Sequence, residues 1–163
     1  MEQGEASLRF RRLTVREAIA AARWRYPGDY AMYNLGMIPL ALGALMSRPG
    51  FLASRITCYA IGTSSDRLIG VFSLIWRGSD VEIGIGLRPD INGRGLGLAA
   101  MRLGMEEARE RYAPKTFSLN VATFNRRAVT VYERAGFIPS GVKTIHFRGK
   151  PYKEMHMVRS AAE

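Results

Sequence analysis

Arg88-Pro89-Asp90-Ile91-Asn92-Gly93-Arg94-Gly95-Leu96-Gly97-Leu98-Ala99-Ala100-Met101 is the stretch whose reading decides the fold of this chain. Before it, Val81-Glu82-Ile83-Gly84-Ile85-Gly86-Leu87 alternates in the period of a strand. After it comes a run with helical periodicity, so the glycines stand at a strand-to-helix junction. Backbone N–H groups without side chains in their way, and the positive end of a helix, can converge there on an anion. A glycine-rich turn alone is a weak signal. It gains weight from Asn125-Arg126-Arg127-Ala128-Val129-Thr130-Val131-Tyr132-Glu133-Arg134-Ala135-Gly136-Phe137, one further strand downstream.

Together the two segments resemble the GNAT superfamily of acyl-CoA-dependent N-acyltransferases. The family's cofactor loop, Q/R-x-x-G-x-G/A, is met by Asn92-Gly93-Arg94-Gly95-Leu96-Gly97, with Asn92 in place of the usual Gln or Arg. A loop that binds through its amides tolerates that change. The second motif, N-x-R-A-x-x-x-Y-E-x-x-G-F, is matched at every specified position from Asn125 to Phe137. The resemblance spans about Arg67–Phe137 and is thin over the first sixty residues.

Two other glycine loops fit less well. A Walker-type phosphate loop requires Lys followed by Ser or Thr, which is absent here. Gly95-x-Gly97-x-x-Ala100 formally fits a dinucleotide fingerprint. That fingerprint requires an acidic residue about 20 positions on, where Phe117–Ala122 offers Asn120.

With 163 residues the chain has the length of one domain, 1–163. The single cysteine, Cys58, leaves no internal disulfide, and a reducing cytoplasm is the expected home. Met1–Glu5 lacks the basic start of a signal peptide. Leu35–Met46 falls short of the roughly 20 residues a membrane span requires, and Pro39 interrupts it; no membrane partner is expected. The net charge of +10 favours polyanions, of which coenzyme A is one. It also leaves room for nucleic acid or a ribosome as partner, although no dedicated run of lysines and arginines is present. A homodimer is compatible with this reading.

The remaining elements follow from pattern. Leu8–Leu13 reads as a strand, and Thr14 with Glu17 forms a capping box for a helix from Val15 to about Arg23. A second helix is expected from near Pro39 to before Pro49. Strands are expected over about 55–63, 68–76, 80–87 and 115–122. The best helix is Gly95–Tyr112, with Leu96, Ala99, Ala100, Leu103 and Ala108 on one face and Glu106, Glu107 and Glu110 outward. Arg126–Arg134 forms another helix, stopped at Gly136. Val142–Phe147 and Tyr152–Val158 read as a hairpin. The order is that of a mixed α/β fold. It coincides with the GNAT order, which implies a mostly antiparallel twisted sheet flanked by helices.

Acyl transfer from a thioester to an amine requires removal of a proton from the amine, fixed donors for the carbonyl oxygen, and a proton for the departing sulfur. The resemblance implies acetyl-CoA as cofactor, no metal and no covalent enzyme intermediate. Gly93, Arg94, Gly95, Leu96, Gly97 and Leu98 are the expected pyrophosphate cradle. Ile85, Gly86 and Leu87 are the expected strand edge for the pantetheine arm, where relatives splay from the next strand. Asn125, Arg127 and Ala128 belong to the expected cofactor site, Asn125 doubling as a helix N-cap and Arg127, with Arg126, as a candidate for the 3′-phosphate. Tyr132, two turns after Asn125, is the candidate general acid. Glu82 is the candidate base, directly or through water, with Asp80 behind it. Trp24, Tyr26, Tyr30 and Tyr33, with Asp29, form a candidate acceptor site suited to a cationic amine. The acceptor class is a small-molecule or peptide amine. The rival readings are a GNAT-fold protein without turnover, either sensing coenzyme A or binding nucleic acid or the ribosome.

Overall fold

The alternation that marks the strands sorts their side chains onto two faces, and two groups of helices cover those faces. The computed structural model describes residues 7–34, 55–91 and 93–162. The elements are β1 (Arg9–Arg12), α1 (Val15–Ala22), a 3₁₀ turn (Gly28–Met32), β2 (Ile56–Gly62), β3 (Leu68–Trp76), β4 (Asp80–Leu87), a second 3₁₀ turn (Pro89–Ile91), α2 (Leu96–Tyr112), β5 (Thr116–Ala122), α3 (Arg126–Arg134), β6 (Ile138–Phe147) and β7 (Lys150–Ser160). The seven strands form one sheet in the order β1-β2-β3-β4-β5-β7-β6. Every pairing is antiparallel except β4 with β5. The expected helix near Pro39 lies outside the described residues, as does Asn92.

Residues 58–61 show the sorting. Cys58 and Ala60 pack with Leu13, Ala18, Ala21 and Val71 beneath α1. Tyr59 and Ile61 point the other way, into the main core with Phe72, Leu74, Met101, Met105 and Phe117. Burial pushes the Cys58 thiol up to about 11, which makes it a packing residue rather than a nucleophile. On β4 the same rule sends Val81 and Ile83 into the main core, and therefore Asp80, Glu82, Gly84 and Gly86 to the α1 side.

The capping box at Thr14 forms, Glu17 Oε2 accepting from the Thr14 amide at 3.1 Å and the Glu17 amide donating to Thr14 Oγ1 at 3.3 Å. Glu17 also binds Arg11, and its carboxyl is held at about 2.

Three sequence expectations need correction. The buried stripe of α2 is Ala100, Met101, Gly104, Met105 and Ala108; Ala99 is exposed and Leu103 only half-buried. Gly104 decides this rotation, because its bare Cα lies against the Phe72 ring. Glu107 does not face outward but accepts a hydrogen bond from the Tyr59 hydroxyl at 2.8 Å. β6 begins at Ile138, not Val142, and absorbs Pro139 and Gly141 in a register irregularity. The hairpin turn is Arg148-Gly149, both with positive φ (50° and 75°), as a type I′ turn requires.

Candidate active site

The site begins where two strands part. β4 and β5 are in register only over Asp80–Glu82 and Thr116–Ser118; from Ile83 onward β4 keeps β3 on one side and loses β5 on the other. The Arg88 amide bonds the Ile69 carbonyl at 2.8 Å. In an antiparallel ladder alternate residues bond the same neighbour, so Gly86 and Gly84 are also bonded to β3. Ile85 and Leu87 then turn their N–H and C=O groups into the gap. The Leu87 carbonyl is seen doing so, since it accepts the Tyr26 hydroxyl at 2.7 Å. Of the expected edge residues, Ile85 and Leu87 present backbone groups to the gap and Gly86 does not.

The loop beyond β4 ends at the gap's upper rim. Gly93 and Gly95 take φ of 83° and 76°, values cheap for glycine alone, which turn successive amides toward one side. Gly95 is the N-cap of the 17-residue α2, and no side chain caps that end. No acidic residue occupies the first turn. The helix therefore keeps its orphan N–H donors and its positive end for a ligand. Gly97 lies under α3, where a Cβ would meet Val131 at 3.5 Å. Arg127 stands over the loop: a Cβ on Gly93 would lie 4.0 Å from its Nη1. An uncapped helix end, a glycine nest and an adjacent guanidinium suit a pyrophosphate, so the residues fit coenzyme A. Arg94 is exposed at the same turn, while Leu96 and Leu98 are half-buried and pack on the main core.

The third wall is α3. Asn125 serves two ends at once: its Oδ1 accepts from the Ala128 amide at 3.3 Å, capping the helix, and its Nδ2 donates to the Tyr33 hydroxyl at 3.2 Å. Tyr33 packs edge-on against Tyr26, the ring that reaches Leu87. Tyr132 is 8% exposed and lies in the main core with Phe137 against its ring. Burial, with the Tyr33 phenol nearby, raises its pKa well above the usual tyrosine value. It is a phenol that keeps its proton.

A family model described as "Acetyltransferase (GNAT) domain" matches residues 8–138. The chain belongs to the GNAT acetyltransferase family. Solved structures agree on the fold. A chimera of the spermidine N-acetyltransferase SpeG from Vibrio cholerae with hSSAT superposes with a TM-score of 0.79 at 18% identity, over 95% of this chain and 96% of that one. The Vibrio cholerae spermidine N-acetyltransferase in complex with CoA and spermine gives 0.72 at 18% identity, over 95% and 96%. The dodecameric structure of that enzyme in an intermediate state gives 0.71 at 17%, over 95% and 94%. No curated protein matches the sequence. As a GNAT acetyltransferase the chain is an acetyl-CoA-dependent enzyme that acetylates an amine. No described helix is long and apolar enough to cross a membrane.

Within this GNAT fold the remaining sequence candidates separate. Tyr26, Tyr30 and Tyr33 come together, and Phe124 and Tyr152 extend the row: Tyr30 and Phe124 stand 5.3 Å apart edge-on, Phe124 and Tyr152 5.8 Å, Phe147 and Tyr152 6.5 Å. Burial pushes the Tyr26 phenol up to about 12 and raises Tyr33 as well. Trp24 is not in this row; it packs with Leu13, Ala18 and Ala21 under α1. Glu82 lies on the α1 side of β4 in the segment still paired with β5, and accepts Arg77 Nε at 2.6 Å. Asp80 accepts the Ser118 hydroxyl at 2.7 Å on one oxygen, while the other is buried without a partner among the described residues.

The sequence reading did not single out Phe124, Tyr152 or Glu154. Glu154 is opposite Ala122 on β5, close enough to Tyr33 to raise its pKa, and pairs with Lys143 at 3.2 Å. Only its alternation with Tyr152 on a strand hinted that they share a face. Lys150 bonds Asp29 at 2.9 Å in an exposed ion pair, and Arg127 lies over the Tyr30 ring at 5.5 Å.

Proposed function

We propose that this chain transfers the acetyl group of acetyl-CoA to a primary amine of a small molecule or peptide by direct attack, Tyr132 protonating the departing sulfur. Bound acetyl-CoA supplies the activated thioester. The amides of Gly93–Leu98 and the Arg127 guanidinium hold its phosphates, and the Ile85 and Leu87 backbone groups hold its pantetheine arm. An N–C bond forms and the C–S bond breaks. One proton leaves the amine for Glu82, directly or through water, and one passes from the Tyr132 hydroxyl to sulfur.

The observation that carries this reading is the largely buried Tyr132 phenol on the helix that Asn125 caps beside the β4–β5 gap. A phenol with a raised pKa holds its proton at neutral pH, as a general acid for a thiolate must. Tyr33 and Tyr26 connect this helix to the Leu87 edge through hydrogen bonds and ring contact. That arrangement supports a single site for cofactor and acid.

The test is calorimetric titration with acetyl-CoA, with NADH and ATP as controls, followed by thiol release across an amine panel. The expected result is one-site binding of acetyl-CoA and thiol release with at least one amine. Binding without release for any amine would leave a coenzyme A sensor instead.

A further inference from the structure

An open cleft of about 250 Å³ lies at the end of the aromatic row, between the 3₁₀ turn and the β6–β7 hairpin. Gly28, Asp29, Met32, Phe147, Arg148 and Lys150 are among its walls. Its position continues the row Tyr33–Phe124–Tyr152 away from Asn125, so a molecule with its amine near the gap would extend its other end here.

We propose that this other end is anionic: the acceptor is an amino acid or short acidic peptide rather than a polyamine. This rests on the acetyl-transfer reading above. Three observations carry it. Among the described residues Asp29 is the one carboxylate lining the cleft, and Lys150 neutralises it at 2.9 Å. Three rings of the row already carry the chain's own cations: Arg127 is 5.5 Å from the Tyr30 ring, Lys150 5.4 Å from Tyr152, and Arg148 5.2 Å from Phe147. The hairpin segment 142–156 brings Lys143, Arg148, Lys150 and Lys153 against the single Glu154. In the cleft itself a polycation meets one carboxylate, already paired with Lys150, beside two cations, whereas a carboxylate meets guanidinium and ammonium donors.

Arg148 adds a conformational argument. It sits at φ 50° in the type I′ turn, where a side chain other than Asn, Asp or Gly is costly. The turn would be better served by Asn, so removal of Arg148 separates charge from folding.

The experiment compares kcat/KM for a tripeptide with two glutamates after a free N-terminal alanine, its glutamine analogue, free glutamate and spermidine, at low and high salt. Binding of each to the acetyl-CoA-free enzyme is measured by calorimetry in parallel. The expected result is at least a tenfold preference for the acidic peptide or glutamate over spermidine, narrowing with salt; the peptide and free-amino-acid arms decide which form the acceptor takes. Arg148→Asn should lower both kcat/KM and affinity for the acidic acceptor about threefold to tenfold, with an unchanged or raised Tm. Preference for spermidine, or an acidic acceptor indifferent to Arg148→Asn, would overturn the inference and leave acetyl transfer standing. Failure of every amine to release thiol, with acetyl-CoA bound, would overturn both.

Discussion

Gly104→Ala should unsettle the fold from beneath the site. An added Cβ would lie 2.0 Å from Phe72 Cζ and 2.4 and 2.6 Å from two further ring atoms. Ordinary contacts between carbons begin near 3.5 Å, so the overlap is about 1.5 Å. The ring has little freedom to yield: Phe72 is fully buried and packs edge-on against Phe10 at 5.2 Å. Overpacking of this kind costs about 1–3 kcal/mol, and the poor fit here argues for the upper end. Replacing glycine inside a helix returns about 1 kcal/mol. The net loss is about 2 kcal/mol, or a fall in Tm of about 4–8 °C for a chain of this size. Phe72 is also the β3 partner of Ile85, so the strain reaches the strand edge that faces the gap, and acetyl-CoA affinity should fall as well. Thermal unfolding of Gly104→Ala, Phe72→Leu and the double variant gives the interaction directly. The double variant should be more stable than the two single losses added. A Tm for Gly104→Ala at or above that of the parent would refute the packing argument.

Arg127→Ala should weaken acetyl-CoA binding about tenfold, as expected for loss of a partly exposed charged donor, and calorimetry should show a smaller loss for Arg126→Ala; the reverse order would remove Arg127 from the phosphate site. Glu82→Gln and Glu154→Gln separate two sources of proton removal: Glu82→Gln should lower kcat while leaving acetyl-CoA affinity intact, and a pH–rate profile displaced only by Glu154→Gln would transfer the role to the carboxylate beside Tyr33. Arg11 and the Thr14 cap hold Glu17 at about 2, below its ordinary 4.5. A depressed carboxyl stabilises the fold above its unfolded value and loses that contribution as pH falls through the folded one. The acid limb of stability should therefore fall between about pH 4.5 and pH 2, and Glu17→Gln should flatten it in denaturant titrations across that range.

The elements and much of the cofactor site were legible in the sequence because local chemistry marks them. Thr14 with Glu17, Gly95, Asn125 and Gly136 each announce a helix end through a cap or a left-handed residue, and β3, an apolar run bounded by turn residues at 64–66 and 77–79, and the alternating β4 are legible to the residue. What escaped depends on contacts between distant segments. The true face of α2 follows from Phe72 filling the space above Gly104, which no helical wheel contains. Proline, serine and glycine at positions 139–141 precede the expected strand Val142–Phe147 but lie in β6, where β7 supplies the pairing. Trp24 and the three tyrosines are neighbours in sequence, yet α1 takes the tryptophan and the gap takes the tyrosines. Phe124, Tyr152 and Glu154 join the site only because β5 and β7 are adjacent. The splay of β4 from β5 likewise belongs to the sheet and not to either strand alone.

The central claim, that Tyr132 delivers the proton in a site that binds acetyl-CoA independently of it, is tested most directly by measuring kcat and acetyl-CoA affinity on Tyr132→Phe. The substitution removes one oxygen and keeps the ring that packs against Phe137, so the fold should not suffer. The account predicts a fall in kcat of about a hundredfold or more with cofactor affinity nearly unchanged. An unaltered kcat, or a loss that tracks acetyl-CoA affinity alone, would contradict it.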